Sequence, residues 1–544
     1  MIKHGSGLFA GVVLLVLVFS QLTAQPASAG GVVGTGTPAS CTEAAFDAAW
    51  AGGGVVTFNC GGAATIILTS QKSLVADVTF NGAGLITLSG NNLTRLLVAN
   101  GGVLLTLNNM TLTAGSTAVG GALIEGTGAQ IVVNGSRLTN STATDQGGAI
   151  YCYVGTGGTL AVNNSVISGN SAARGGGIYN DGCVMSVSNS LFSGNSTVGA
   201  GSQRGGGLYT DGPLTVTNST FTNNSGFDGG GVYVSSNAVA TLSRVALLAN
   251  SGSYGAGLEN SGTVTITDSL ISGNTALNDG GGIWNLDGRV VMRRTTVRDN
   301  RGSQGGGINS YGNRVELADV NVSGNTATGS TGGGGIYHGG GTMFITNATI
   351  STNQATGVGG NGGGIHQNSN DNLTLTNVTL SNNTAAGFGG GLYHLARYAV
   401  LTNVTIGRNT ALAGDAIYEA SVSGDPNVVQ VKNTAIFGSA NNCDGSLFVS
   451  LGHNVSQGTC ASLVAATDQP NVPAVQMGAL TNNGGAFAML TIMPLPGSPV
   501  INAGDPAACP TLDQRGAARV GTCDVGAVEF GAVLPRLYLP LLVR

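Results

Sequence analysis

The chain has 544 residues, of which 93 are glycine, about one in six, and only 8% are charged, against roughly 25% in an ordinary soluble domain. With 3 Lys and 6 Glu it lacks the residues of a coiled coil or helical array, and its glycines cluster instead of recurring at every third position as in collagen. At 42% apolar and a net charge of −5 it is neither a disordered chain nor one with a general attraction to nucleic acid.

In chain order, residues 1–29 read as a secretory signal. Lys3 and His4 precede an apolar run from Leu8 to Phe19, and Ala27-Ser28-Ala29 supplies a small-residue cleavage site, so the mature chain is expected to begin at Gly30. The alternative, a retained anchor, falls short of the roughly 20 apolar residues a spanning helix needs. Residues 30–115 contain weak coils, at Val78–Gly90 and Leu104–Ala114, and are expected to hold an N-terminal cap. Eight cysteines lie in the exported part: Cys41, Cys60, Cys152, Cys183, Cys443, Cys460, Cys509 and Cys523. An even number in an exported chain, with no CxxC spacing, points to four disulfides rather than a metal site; spacing alone leaves their connectivity open.

Residues 116–440 repeat. A Gly-Gly-[Gly/Ala]-aliphatic box ends at Leu123, Ile150, Ile178, Leu208, Val232, Leu258, Ile283, Ile308, Ile336, Ile365, Leu392 and Ile417, in steps of 24–30 residues. A second box ends in Asn, as at Ile167–Asn170, Phe192–Asn195, Phe221–Asn224, Ile271–Asn274, Ile350–Asn353 and Leu380–Asn383. Between them, stretches such as Thr263–Asp268 alternate aliphatic and polar residues, the period of a half-buried strand. Three short strands per repeat predict an all-β parallel solenoid of about 12 coils, with inward aliphatics stacked into one core. Asn at one coil position predicts a ladder of side-chain amides, and the scarcity of charge follows from like charges otherwise stacking ~4.8 Å apart.

The residue after each box aliphatic forms a column: Tyr151, Tyr179, Tyr209, Tyr233, Glu259, Trp284, Asn309, Tyr337, His366, Tyr393 and Tyr418. Strand alternation points it outward, which allows two readings: structural stacking between coils, or a carbohydrate-binding track on the ring faces. Arg289, Arg293 and Arg298, in the chain's one arginine cluster, are expected to face outward, either as a solvated face neutralised by Asp287 and Asp299 or as a contact for anionic glycans. Asp228 and Asp279 read as turn residues, with Asp228 placed to pair with Arg204 of the preceding coil. His338 and His394 stand two coils apart with Gln367 between them, ~9–10 Å at ~4.8 Å per coil, too far to share a metal. No catalytic residue, metal or cofactor is expected.

Nine of the 13 prolines lie from Pro470 onward, so residues 441–530 are expected to form a separate Cys-containing module, followed by an apolar tail over 531–544.

The GGAL and GGAI boxes at 120–123 and 147–150, with Phe-x-x-Asn at 192–195 and 221–224, resemble polymorphic outer-membrane protein repeats, and the coils as a whole resemble the right-handed single-stranded parallel β-helix of the pectin-lyase-like superfamily. Gly497–Asp505, Asp513-Gln514-Arg515-Gly516 and Cys523–Glu529 resemble the choice-of-anchor Q domain. These resemblances imply a secreted, extracellular or cell-surface protein held to the envelope through its C-terminal tail. Its role is then structural or adhesive, with extracellular polysaccharide or other surface proteins as partners. The alternative is a polysaccharide lyase or glycoside hydrolase, whose paired Asp, Gly-His-Gly, Arg-x-Pro-x-x-Arg and Ca²⁺-binding motifs this chain lacks.

Overall fold

The structure, a computed structural model, describes residues 30–534 except 156, 200–202, 370, 396, 421–427, 446, 486 and 488. The signal segment and the last ten residues of the apolar tail lie outside the described residues.

One coil shows why this sequence winds as it does. Thr263–Thr267 forms a first arm whose Val264 and Ile266 point into the core while its threonines face out. Asp268 then takes a left-handed conformation (φ 53°) and turns the chain into a second arm, Leu270–Ser272, which buries Ile271. Gly273 makes a second left-handed turn (φ 67°) into Asn274 and the two-residue strand Thr275–Ala276. The glycine box closes the coil. Gly280 adopts φ 64°, and a Cβ on Gly282 would stand 2.5 Å from the Gly307 carbonyl of the next coil, so only glycine lets the backbones approach. Ile283–Asn285 completes the turn with Ile283 fully buried.

Repeated, these segments build three parallel sheets. The two arms form one 27-stranded sheet, bent at the left-handed residue between them. The box strands form a sheet of 15 strands, and the shortest strands form two patches of four and six. The solenoid therefore has about 15 turns, more than the 12 expected, because the weak coils before Leu123 pair in the same sheets. At ~4.8 Å per coil the rod is about 70 Å long.

The predicted amide ladder is present and unbroken. Asn170, Asn195, Asn224, Asn250, Asn274, Asn300, Asn325, Asn353, Asn383 and Asn409 are all buried. Each Nδ2 donates to the Oδ1 of the next Asn at 2.9–3.0 Å. It also donates to a backbone carbonyl at the end of the preceding coil's second arm, Leu247 O for Asn274. The same Oδ1 accepts the backbone N–H of the preceding Asn. Every donor and acceptor capacity of a dry amide is thus used. Asn250, Asn300 and Asn409 follow degraded boxes, yet hold the same place.

All four disulfides join neighbouring cysteines: Cys41 to Cys60, Cys152 to Cys183, Cys443 to Cys460 and Cys509 to Cys523. The N-terminal end is capped by a helix, Glu43–Trp50, that the composition did not suggest. Thr42 caps it by accepting from Ala45 N–H, and Phe46 packs fully buried against Phe58 and Phe80. Lys72, also buried, is held between Glu43 and Asp47 at 2.7 and 2.9 Å.

At the other end the solenoid runs past the boundary expected at 440. Cys443–Asp444, Phe448–Ser450 and Val455–Ser456 still pair in its sheets, a last coil built without a glycine box. The following segment folds back along the bent sheet rather than extending the rod. Val475, Ile492, Val500 and Val525 pack on Ala435, Phe437 and Val455. Its charged core is internal: Asp513 pairs with Arg515 and Glu529 with Arg519, all four buried.

Replacing Asn274 by Ala orphans the Asn250 amide, the Asn250 N–H and Leu247 O, at roughly 1–3 kcal/mol each. The expected cost is about 3 kcal/mol or more, read as a lowered thermal midpoint. Removal of the outward hydroxyl in Thr241→Ala should stay within about 0.5 kcal/mol of the native protein.

Candidate functional site

The box column faces outward, as alternation requires, but it is not a surface stripe. Tyr179, Tyr209, Tyr233, Tyr337 and Tyr393 are only 3–9% exposed and His366 is 3%. Two causes act together. The rings stack on one another, with centroids 4.5 Å apart for Tyr179–Tyr209, 5.0 Å for Tyr209–Tyr233 and 4.7 Å for His366–Tyr393. The residue four before each box aliphatic also folds over the column: Arg174 lies 5.3 Å over the Tyr179 ring and Arg204 5.1 Å over Tyr233. Arg204 is in turn held by Asp228 at 3.2 Å, the pairing that the spacing suggested. Burial drives the His366 pKa down to about 4, so the imidazole is neutral among its neighbours.

The stack breaks where the column carries Glu259 and Asn309, on either side of Trp284, whose strand pairs with both. There the covering residues are themselves aromatic. Tyr254 stacks on Trp284 at 4.5 Å, and Phe227, 50% exposed, meets Tyr254 edge-on at 5.8 Å. Phe227, Tyr254 and Trp284 thus form a partly open aromatic platform across three coils. Tyr254 holds the place four before its box aliphatic that Arg174 and Arg204 hold in earlier coils, and Phe227 immediately precedes that place in its own coil; the changing residue type there hid both from the sequence pattern.

Beneath this platform several buried polar atoms have no hydrogen-bond partner among the described residues: Glu259 Oε2, Trp284 Nε1, and both side-chain polar atoms of Asn309. Both ring nitrogens of His366, farther along the column, are in the same state. Glu259 is 2% exposed; burial, reinforced by the Asp228 carboxylate, pushes its pKa well above the usual range and favours the protonated carboxyl. So deep a carboxyl cannot reach a glycosidic bond. Burial also raises the pKa of Asp279.

Arg289, Arg293 and Arg298 are exposed as expected. Their neutralisation meets the expectation in part: Arg298 pairs with the adjacent Asp299 at 2.7 Å, whereas Arg289 pairs with Glu316 of the next coil at 2.7 Å and Asp287 takes no part in these pairs. His338 bonds the Gly341 carbonyl of its own coil corner, and His394 bonds Gln367 of the preceding coil.

Glu259 gives the site a pH signature. A raised native pKa means that the fold keeps a proton the unfolded chain releases, so stability is full below about pH 4 and falls as pH rises through the native pKa. Glu259→Gln should therefore melt higher than the native protein at pH 7–8, with the difference closing near pH 4; equal midpoints at both pH values contradict this ionisation.

A model described as "Right handed beta helix region" matches residues 57–300 and 177–354, together more than half the chain. A Chlamydia polymorphic membrane protein repeat matches residues 377–394. Among curated proteins none matches. Among solved structures, that of pectate lyase Pel9A shares 13% identity over 89% of this chain and 90% of its own, at a TM-score of 0.18. The glycine boxes, the three parallel sheets and the family match agree: this chain belongs to the right-handed β-helix family.

Proposed function

We infer that the protein is an exported surface rod with a structural or adhesive role that binds extracellular polysaccharide through the platform of Phe227, Tyr254 and Trp284. The observation that carries this reading is the platform itself. On a rod whose other column rings are consumed in mutual stacking, these three stay partly open, above unpaired polar groups. Sugars present apolar faces that pack on rings and hydroxyls that need partners, and the site supplies both. The repeat shared with polymorphic membrane proteins and the four disulfides support an extracytoplasmic setting. The tail at 531–544 remains the proposed point of attachment to the envelope.

The test is retention of the protein on immobilised polysaccharides and glycan arrays. Trp284→Ala and Tyr254→Ala should each weaken binding about tenfold, the equivalent of roughly 1.4 kcal/mol. Undiminished binding by both variants, or no retention by any polysaccharide, contradicts the reading. Release of reducing or unsaturated sugars would assign the lyase or hydrolase alternative instead.

A further inference from the structure

The bend between the two arms of the large sheet forms a groove along the rod, on a different face from the aromatic platform. Its floor is the column of left-handed residues, and its two halves differ in occupancy. Along Asn377, Asn403 and Asn433 it is filled by the chain's own C-terminal segment, held through main-chain groups. Asn377 Nδ2 donates to Leu512 O at 2.8 Å, Asn403 Nδ2 to Asp524 O at 3.2 Å, and Asn433 Nδ2 to Asp505 O at 3.3 Å. In return Asp505 N–H donates to Asn433 Oδ1 and Ala527 N–H to Thr405 Oγ1, at 2.8 and 2.9 Å.

Earlier coils leave the same groove open. A cavity of about 580 Å³ is lined by Asn218, Thr220, Arg244, Asp268 and Arg294, with Phe487 of the C-terminal segment at its edge, so the open and covered stretches are continuous. A second cavity of about 300 Å³ beside Arg293, Arg314, Glu316 and Asp319 carries the groove toward Asn347.

The floor residues here are unusual. Most coils place Asn, Asp or Gly in this left-handed position, the residues that tolerate it. Arg244 and Arg294 occupy it at φ 53° and 44°, conformations an arginine rarely adopts. The fold accepts that strain to aim two guanidiniums into the opening. Arg244 is held by Asn218 at 2.5 Å and Arg294 by a two-pronged pair with Asp268 at 2.6 and 2.9 Å, contacts between exposed side chains that an acidic ligand can reach. With Arg289, Arg293 and Arg298 nearby against Asp268, Asp299 and Glu316, the open stretch is net positive.

We propose that this open groove docks an acidic, extended polypeptide segment of a partner protein, continuing the interface that the C-terminal segment makes on the later coils. A polypeptide fits better than a polyanionic sugar because the covered half captures main-chain carbonyls and N–H groups with equivalent positions of the same column. Arg244 and Arg294 stand two coils apart, about 9–10 Å at ~4.8 Å per coil. A polyproline-type strand rises ~3.1 Å per residue, so a carboxylate at every third position recurs every ~9.3 Å and meets both guanidiniums.

The test is fluorescence anisotropy of labelled (Glu-Pro-Pro)4 titrated with the full chain, beside (Lys-Pro-Pro)4 and polygalacturonate. Saturable binding of the Glu peptide alone is expected, weakened at least fivefold by Arg244→Asn or Arg294→Asn and further by salt. Asn is the residue most other coils carry there, so both variants should fold, which a native melting profile verifies. Absence of saturable peptide binding, or binding unchanged in both variants, overturns the proposal. So does binding of polygalacturonate alone, which would make the groove a saccharide site, or salt-dependent dimerisation lost in both variants, which would make the occupant a second copy.

Discussion

The amide ladder from Asn170 to Asn409 is the constraint on which the rest of this protein depends. Inside a dry corner an amide must place four hydrogen-bonding capacities, and it does so here only if the next coil sits one strand spacing away with its own Asn in register. A slip of one residue would orphan several buried groups per coil, so the ladder fixes pitch and register over nine successive steps. Once pitch is fixed, every other coil position stacks as well. Aliphatics form a continuous core, outward rings meet at 4.5–5.7 Å, and charges are admitted mainly where the neighbouring coil offers an opposite charge or an amide.

That stacking divides the surface into spent and unspent stretches. Tyr179, Tyr209 and Tyr233 use their faces on each other; their stack is interrupted where the column carries Glu259 and Asn309. The bent sheet shows the same division. Its later coils are covered by the C-terminal segment, whose buried Asp513–Arg515 and Arg519–Glu529 pairs shape the docking loops, while Arg244 and Arg294 line the part left open. In a rod with so few ionisable groups, recognition is confined to the places where repetition lapses.

Much of this was legible in the residues. Glycine boxes at a steady step, alternating Thr and Val, and Asn at the end of each second arm specify coils, core and ladder, because each rests on local geometry that repeats. The Asp228–Arg204 pair was legible for the same reason. What the pattern hid depends on contacts outside the repeat. Strand alternation correctly turned Tyr179 and Tyr393 outward, but exposure is decided by what folds over them, and Arg174, Arg204 and Tyr254 share a repeating place four residues before the box aliphatic whose residue type changes from coil to coil. The cap helix at Glu43–Trp50 is a single eight-residue event in an otherwise β-rich chain. The prolines after Pro470 marked a change of structure, yet could not show that the segment returns along the flank through side chains as distant in sequence as Gln514 and Ala348.

The central claim is that the Asn ladder, more than the sheets it joins, locks the coils together. Residue-resolved hydrogen exchange tests it directly. The backbone N–H groups of Asn195, Asn224, Asn250, Asn274, Asn300, Asn325 and Asn353, each donating to the next coil's side-chain oxygen, should be uniformly among the slowest to exchange, opening only with the whole rod. Fast or graded exchange at these amides, with protection greatest in the arms instead, would show that the ladder follows the fold rather than holding it.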